Sequence, residues 1–136
     1  MHEFFDHTAD LGLRVVADTF PALLEEAAAC LFAAVLEDPS TVRPDQEIEV
    51  VIDGTDREFL LFDWLRELLR RVEMDGTVFA RFEVKETESG VMGRAWGEPI
   101  DRSRHLLSHE VKAITYHGLS VTRTPTGWMA EVIVDI

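Results

Sequence analysis

Three polar residues, Asp6, His7 and Asp10, fall within five positions near the start of the chain, between the apolar runs of FFDHTADLG. At the other end, MAEVIVDI carries Glu131 and Asp135 in an otherwise apolar stretch, with Ile136 and its carboxylate following. Two unit charges roughly 4 Å apart, at an effective dielectric near ~20, interact by about 4 kcal/mol, so clustered acids call for a cation or a proton. An all-oxygen set suits a hard cation such as Ca²⁺, Mg²⁺ or Mn²⁺ rather than zinc. Taken alone, the N-terminal group also reads as a polar turn, in which Thr and Asp bond local backbone groups and Gly12 lets the chain enter a strand. Spacing alone does not bring Asp10 to Asp135.

The elements that must position these residues follow from periodicity. LGLRVVAD, residues 11–18, puts Leu11, Leu13, Val15 and Ala17 on one face of a half-buried strand. A helix then starts at Thr19 and Pro21, and Leu24, Ala27, Ala28, Leu31, Phe32 and Val35 recur at helical spacing until EDPS. EIEVVIDG places Ile48, Val50 and Ile52 on one face of a second strand. Thr55 and Glu58 have the spacing of a capping box, and Leu61, Trp64, Leu65, Leu68, Leu69 and Val72 form the apolar stripe of a second helix that stops at Asp75-Gly76.

From Thr77 onward the pattern is β. VFARFEV and VMGRAWG make a hairpin around ESG, with Gly93 and Gly97 marking a bulge or a close approach. LLSHEVKAITYHG, LSVTRT and WMAEVIVDI supply further strands. In the last, Trp128, Ala130, Val132, Val134 and Ile136 share one face, and Met129, Glu131, Ile133 and Asp135 the other. A strand so apolar belongs in the centre of a sheet, where Asp135 reaches water less easily than a tail residue would. The expectation is a single α+β domain over residues 1–136, with largely antiparallel or mixed sheets packed on two main helices. A loose strand–helix–strand rhythm in both halves is compatible with an internal duplication, at a level of identity too weak to assert one.

Charge and composition exclude several functions. With 26 acidic against 13 basic side chains, the net charge of −13 opposes direct binding to nucleic acid or to an acidic membrane, while it steers towards a basic protein. No run approaches the roughly 18 apolar residues of a membrane span, the N-terminus carries acids where a secretory signal needs positive charge, and Cys30 is alone. A cytoplasmic protein is expected, with Cys30 a small buried hydrophobe. His105, His109 and His117 share strand parity, and His2 and His7 lie near the start, but these spacings match no zinc pattern. Neither a glycine-rich phosphate cradle nor a nucleophile arrangement is present in the sequence.

HTADLG, LLFDWLRELL, HEVKAITYHGLSV and the closing WMAEVIVDI, in that order and across essentially the whole chain, resemble the archease family. Leu11 departs slightly, since the family more often has Ile there. The resemblance implies a small acidic protein that activates an RtcB-type RNA ligase in tRNA splicing and RNA repair, promoting its guanylylation and multiple turnover without being an enzyme itself. It implies a divalent metal site, with Ca²⁺ first and Mg²⁺ or Mn²⁺ as alternatives, formed by Asp10, Asp135 and the carboxylate of Ile136. It also implies a role in partner activation for Asp10, Asp135 and Lys112. His7, within the same motif, is expected to orient Asp10 from behind. Lys112 is expected on a strand, sharing a face with Glu110, Ile114 and Tyr116. Two other functions fit the same residues: a small metal-dependent phosphoester hydrolase, and a general chaperone-like modulator of RNA-modifying enzymes.

Overall fold

The computed structural model describes residues 1–7 and 10–136, with His7 described through its backbone only. The strands are β1 (His2–His7), β2 (Asp10–Ala17), β3 (Gln46–Asp53), β4 (Thr77–Glu86), β5 (Gly90–Pro99), β6 (Ala113–Ile114), β7 (Ser120–Thr124) and β8 (Gly127–Asp135). The helices are α1 (Phe20–Val35) and α2 (Arg57–Asp75), with a 3₁₀ turn at Pro39–Thr41. One sheet runs β1-β2-β8, with β6 and β7 both pairing the far edge of β8; the other runs β3-β5-β4. Every strand pairing among the described residues is antiparallel, so the fold is α+β as expected.

α1 packs on both sheets, against β2 and β8 of one and β4 of the other, which explains why it is apolar on nearly every side. Thr19 caps it, its hydroxyl accepting from the Ala22 N–H at 3.2 Å, and Pro21 sits in the first turn. At its other end the carbonyls of Ala34 and Val35 accept from the main-chain N–H groups of His109 and Ser108, so a loop supplies what the helix lacks. α2 ends at Gly76, whose φ of 64° is the left-handed conformation that glycine adopts without strain. Its stripe buries Leu61, Trp64, Leu65, Leu68 and Leu69. Among the described residues, no helix is long and apolar enough to cross a membrane.

Several expectations are corrected. The N-cap of α2 is Asp56, which accepts from the Phe59 N–H at 3.1 Å, rather than Thr55: the helix begins at Arg57, so the residue just before its first turn is the aspartate. Asp6 and His7 belong to β1 rather than to a turn, and the turn expected around Thr8 lies outside the described residues. The bulge falls in β4, between Phe79 and Arg81, while Gly93 and Gly97 are the close approaches opposite: a Cβ on Gly93 would meet the Trp64 ring, and one on Gly97 the Val78 carbonyl. Of LLSHEVKAITYHG only Ala113 and Ile114 form a strand. Lys112 therefore precedes the strand, and the shared parity of His105, His109 and His117 dissolves, because the segment before β6 is held by contacts other than a ladder.

Candidate functional site

The alternation of β2 and β8 sets the site. Leu11, Leu13 and Val15 turn to the core, as do Trp128, Ala130, Val132 and Val134, which leaves Asp10, Gly12 and Arg14 on the outer face beside Asp135, Ile133 and Glu131. Register then pairs these outward residues. Asp10 stands opposite Asp135, Gly12 opposite Ile133 and Arg14 opposite Glu131. On the flanks, His7 pairs with Asp10 and Ala113 with Asp135, so four strands meet in the row that holds the two acids. Residues from the two ends of the chain are thus neighbours, as the resemblance implied.

The rows alongside are already satisfied. Arg14 bridges Glu3 at 2.8 Å and Glu131 at 2.7 Å, which pushes its pKa further up, and it lies 4.7 Å over the Phe5 ring. Phe5 lies against Gly12, where a Cβ would collide with its ring. Ile133 is buried although it faces outward; its carbonyl accepts from both the N–H and the hydroxyl of Thr115. Two rungs from the acids, then, the guanidinium on this face is committed to other carboxylates.

The remaining expected residues fall close by. Lys112 is exposed, and its main-chain N–H donates to the Asp135 carbonyl at 2.7 Å, which fixes it at the end of the row. Ile136 follows Asp135 and is partly buried against the core. The side chain of His7, expected behind Asp10, lies outside the described residues. Directly opposed residues place their Cβ atoms about 4.5–5.5 Å apart, a separation at which two carboxylates share one hard cation. Carboxylate oxygens are donors of the kind that a hard cation of the calcium or magnesium type takes. Among the described residues no three His, Cys, Asp or Glu side chains gather into a metal site.

Sequence reasoning missed a second polar cluster. Glu98, 5% exposed at the end of β5, accepts from the Arg104 guanidinium at 2.7 Å, from the Arg43 N–H at 2.7 Å and, across 3.0 Å, pairs with Nε2 of His105, which is 1% exposed. Asp101 N–H donates to Nδ1 of His105 at 2.9 Å, so that nitrogen is the acceptor and Nε2 carries the proton towards Glu98. The hydrogen bond from Arg104, helped by those from Arg43 and His105, brings the Glu98 carboxyl down to about 2 despite burial. The signal was an acid ending an apolar strand just before a basic run, EPIDRSRH. This cluster pins the start of the segment that ends at Lys112. Cys30 is buried, which pushes its thiol up to about 12 and leaves it a packing residue, as expected.

Comparison with known proteins bears on the family and the fold. The model of the archease protein family matches residues 2–136. Protein archease of Methanopyrus kandleri is 47% identical, covering 98% of each chain, and that of Pyrococcus furiosus is 39% identical, covering 98% of this chain and 97% of the relative. The solution structure of Methanobacterium thermoautotrophicum protein 1598 superposes with a TM-score of 0.83 at 36% identity, covering 99% of this chain and 98% of the other. The crystal structure of an archease from Thermotoga maritima, described as a possible chaperone, shares the fold with a TM-score of 0.70 at 22% identity, covering 100% and 98%. On the strength of a match along nearly its whole length, the chain belongs to the archease family.

Proposed function

We propose that this archease activates an RtcB-type RNA ligase in tRNA splicing and RNA repair, promoting its guanylylation and repeated turnover, and that it acts through the acid pair Asp10 and Asp135. The observation that carries this reading is the register itself: two carboxylates far apart in sequence face each other on the outer surface of one sheet. Asp10, Asp135 and Ile136 would hold a divalent cation, Ca²⁺ or else Mg²⁺ or Mn²⁺, which would supply a concentrated positive charge at that end of the sheet. The residues of the chain present that site to a partner: β2 and β8 hold the acids rigidly on a sheet, and the Asp135 carbonyl holds Lys112 at the end of the row. A strongly acidic surface steers the chain towards a basic active site, as expected of an activator working inside the cytoplasm.

The test is multiple-turnover RNA ligation by the cognate purified ligase, with and without this protein. Stimulation that disappears in Asp10→Ala and Asp135→Ala, with the fold intact by circular dichroism, is the expected result. Unchanged ligation would overturn the reading. Turnover of a phosphoester by this chain alone would favour a hydrolase instead, and comparable binding to several unrelated RNA-modifying enzymes would favour a general chaperone.

A further inference from the structure

Most arginines whose contacts bear on this acidic surface are neutralised in place. Arg14 lies between Glu3 and Glu131, Arg70 and Arg71 share Glu67, and Arg104 holds Glu98. With twice as many acidic as basic side chains, a carboxylate partner is the default for a guanidinium here. Arg57 and Arg123 depart from it. Both are exposed, neither has a carboxylate at ion-pair distance among the described residues, and both guanidinium groups lie over the ring of Trp128, at 4.8 and 4.7 Å from its centroid.

Each arrives by a different route. Arg123 stands opposite Trp128 in the β7–β8 ladder, and Arg57 comes from the first turn of α2, lying 5.6 Å from the Phe20 ring as well. Stacking holds a guanidinium by its face and leaves the N–H donors along its edge for a planar anion. Further along α2, Phe59 is 54% exposed, and Tyr116, which follows β6, is 57% exposed; their rings lie 5.9 Å apart edge to face, and Tyr116 stacks on Phe62 at 3.8 Å. Because α2 packs against both β6 and β7, the cations and the aromatics follow one another along the same sheet edge.

This composition is that of an interface centre, where Arg, Tyr and Trp supply most of the binding energy. The uncompensated guanidiniums ask for anions from outside. A net charge of −13 opposes a long polyanion such as RNA, whereas a protein surface offers a few local carboxylates together with apolar area for the rings. We propose that the α2–β7 edge, built on Arg57, Arg123, Phe59 and Tyr116, is a docking surface for a protein that presents carboxylates beside an apolar patch. The inference rests on the ligase reading in its choice of partner: the protein approached by the acid pair is gripped here by charges of opposite sign.

The experiment measures the affinity of the purified RtcB-type ligase for the wild type, for the Arg57→Glu/Arg123→Glu double variant and for Phe59→Ser/Tyr116→Ser, alongside ligation titrations. The double reversal is expected to weaken binding tenfold or more, to flatten the dependence on salt, and to regain full stimulation at saturating concentration because Asp10 and Asp135 are untouched. Arg57→Lys/Arg123→Lys, which keeps the charge and loses the planar stack, is expected to fall between, and thermal melts check that each variant folds. A wild type that stimulates the ligase while the reversal binds equally well overturns the docking surface alone. A wild type that neither binds nor stimulates takes down the ligase reading and this inference with it. Binding of a labelled single-stranded RNA that needs both arginines would reassign the surface to nucleic acid and overturn the proposal.

Discussion

Asp10 stands directly opposite Asp135 on neighbouring strands, and neither can be moved without shifting the register of the whole β2–β8 ladder. Like charges opposed across an antiparallel pair cost roughly 0.2–1 kcal/mol. In metal-free protein, Asp135→Asn is therefore expected to raise the thermal midpoint, by about 1–3 °C for a domain of this size. Millimolar Ca²⁺, Mg²⁺ or Mn²⁺ should raise the wild-type midpoint, with a site at a hundredfold excess over its Kd gaining about 2.7 kcal/mol. Scanning calorimetry with each ion decides: equal metal-induced shifts in wild type and variant would remove Asp135 from the donor set.

Lys112 meets Asp135 through its main chain, so its side chain can be changed without breaking that bond. Lys112→Met is expected to leave stability within about 0.5 kcal/mol, as for other exposed positions. Ligase stimulation should nevertheless fall sharply. If melts and ligation rates both stay at wild-type values, the lysine is an ordinary surface cation.

Whether these relationships could be read in advance depended on what holds each segment. The faces of β2 and β8 were legible because a strand has a period of two and one side is buried, which put Asp135 on the face away from Val132 and Val134, whereas Asp10, read as part of a polar turn, is the first residue of β2. Nothing local joined them; their meeting depends on a pairing that closes nearly the whole chain, and only the resemblance to a family implied it. β1 escaped notice because Phe4 and Phe5 stand side by side: Phe5 lies on the outer face against Gly12, and Phe4 is exposed, so neither follows the buried alternation. The segment before β6 was read as a strand but carries no ladder. It is held by Glu98 at its start, by the last carbonyls of α1 in its middle and by Asp135 at its end, and such contacts leave no period in the sequence.

Gly93 is empty space for an indole. Trp64 is buried in the core, its Nε1–H donates to the Leu24 carbonyl at 2.9 Å, and a Cβ on Gly93 would come within 2.5 Å of its ring. Gly93→Ala must push the ring off that hydrogen bond or bend β5. The expected cost is about 1–3 kcal/mol, as for overpacking elsewhere. Urea unfolding followed by tryptophan fluorescence should show a lower midpoint and an altered native emission, and a wild-type midpoint would mean that the sheet yields without strain.

Acid sensitivity should concentrate at Glu98. Its carboxyl is held at about 2, below the ordinary 4.5, chiefly by the Arg104 hydrogen bond, with Arg43 and His105 adding to it. For a depressed carboxyl the stabilisation is fully present above the unfolded value and fades as pH falls from about 4.5 towards the folded one. Glu98→Gln is therefore expected to be less stable than wild type at pH 7, with the difference shrinking as pH falls towards 3. Glu98→Ala, which strips His105 and Arg104 of their shared acceptor, should cost about 3 kcal/mol at neutral pH, the scale for breaking one side of a buried pair. Urea midpoints at several pH values measure both. Because the cluster anchors the segment that leads to Lys112, loss of ligase stimulation in Glu98→Gln at a temperature where the variant stays folded would locate the defect in that segment. A gap between variant and wild type that stays constant from pH 7 to 3 would show that the Glu98 charge contributes nothing to folding.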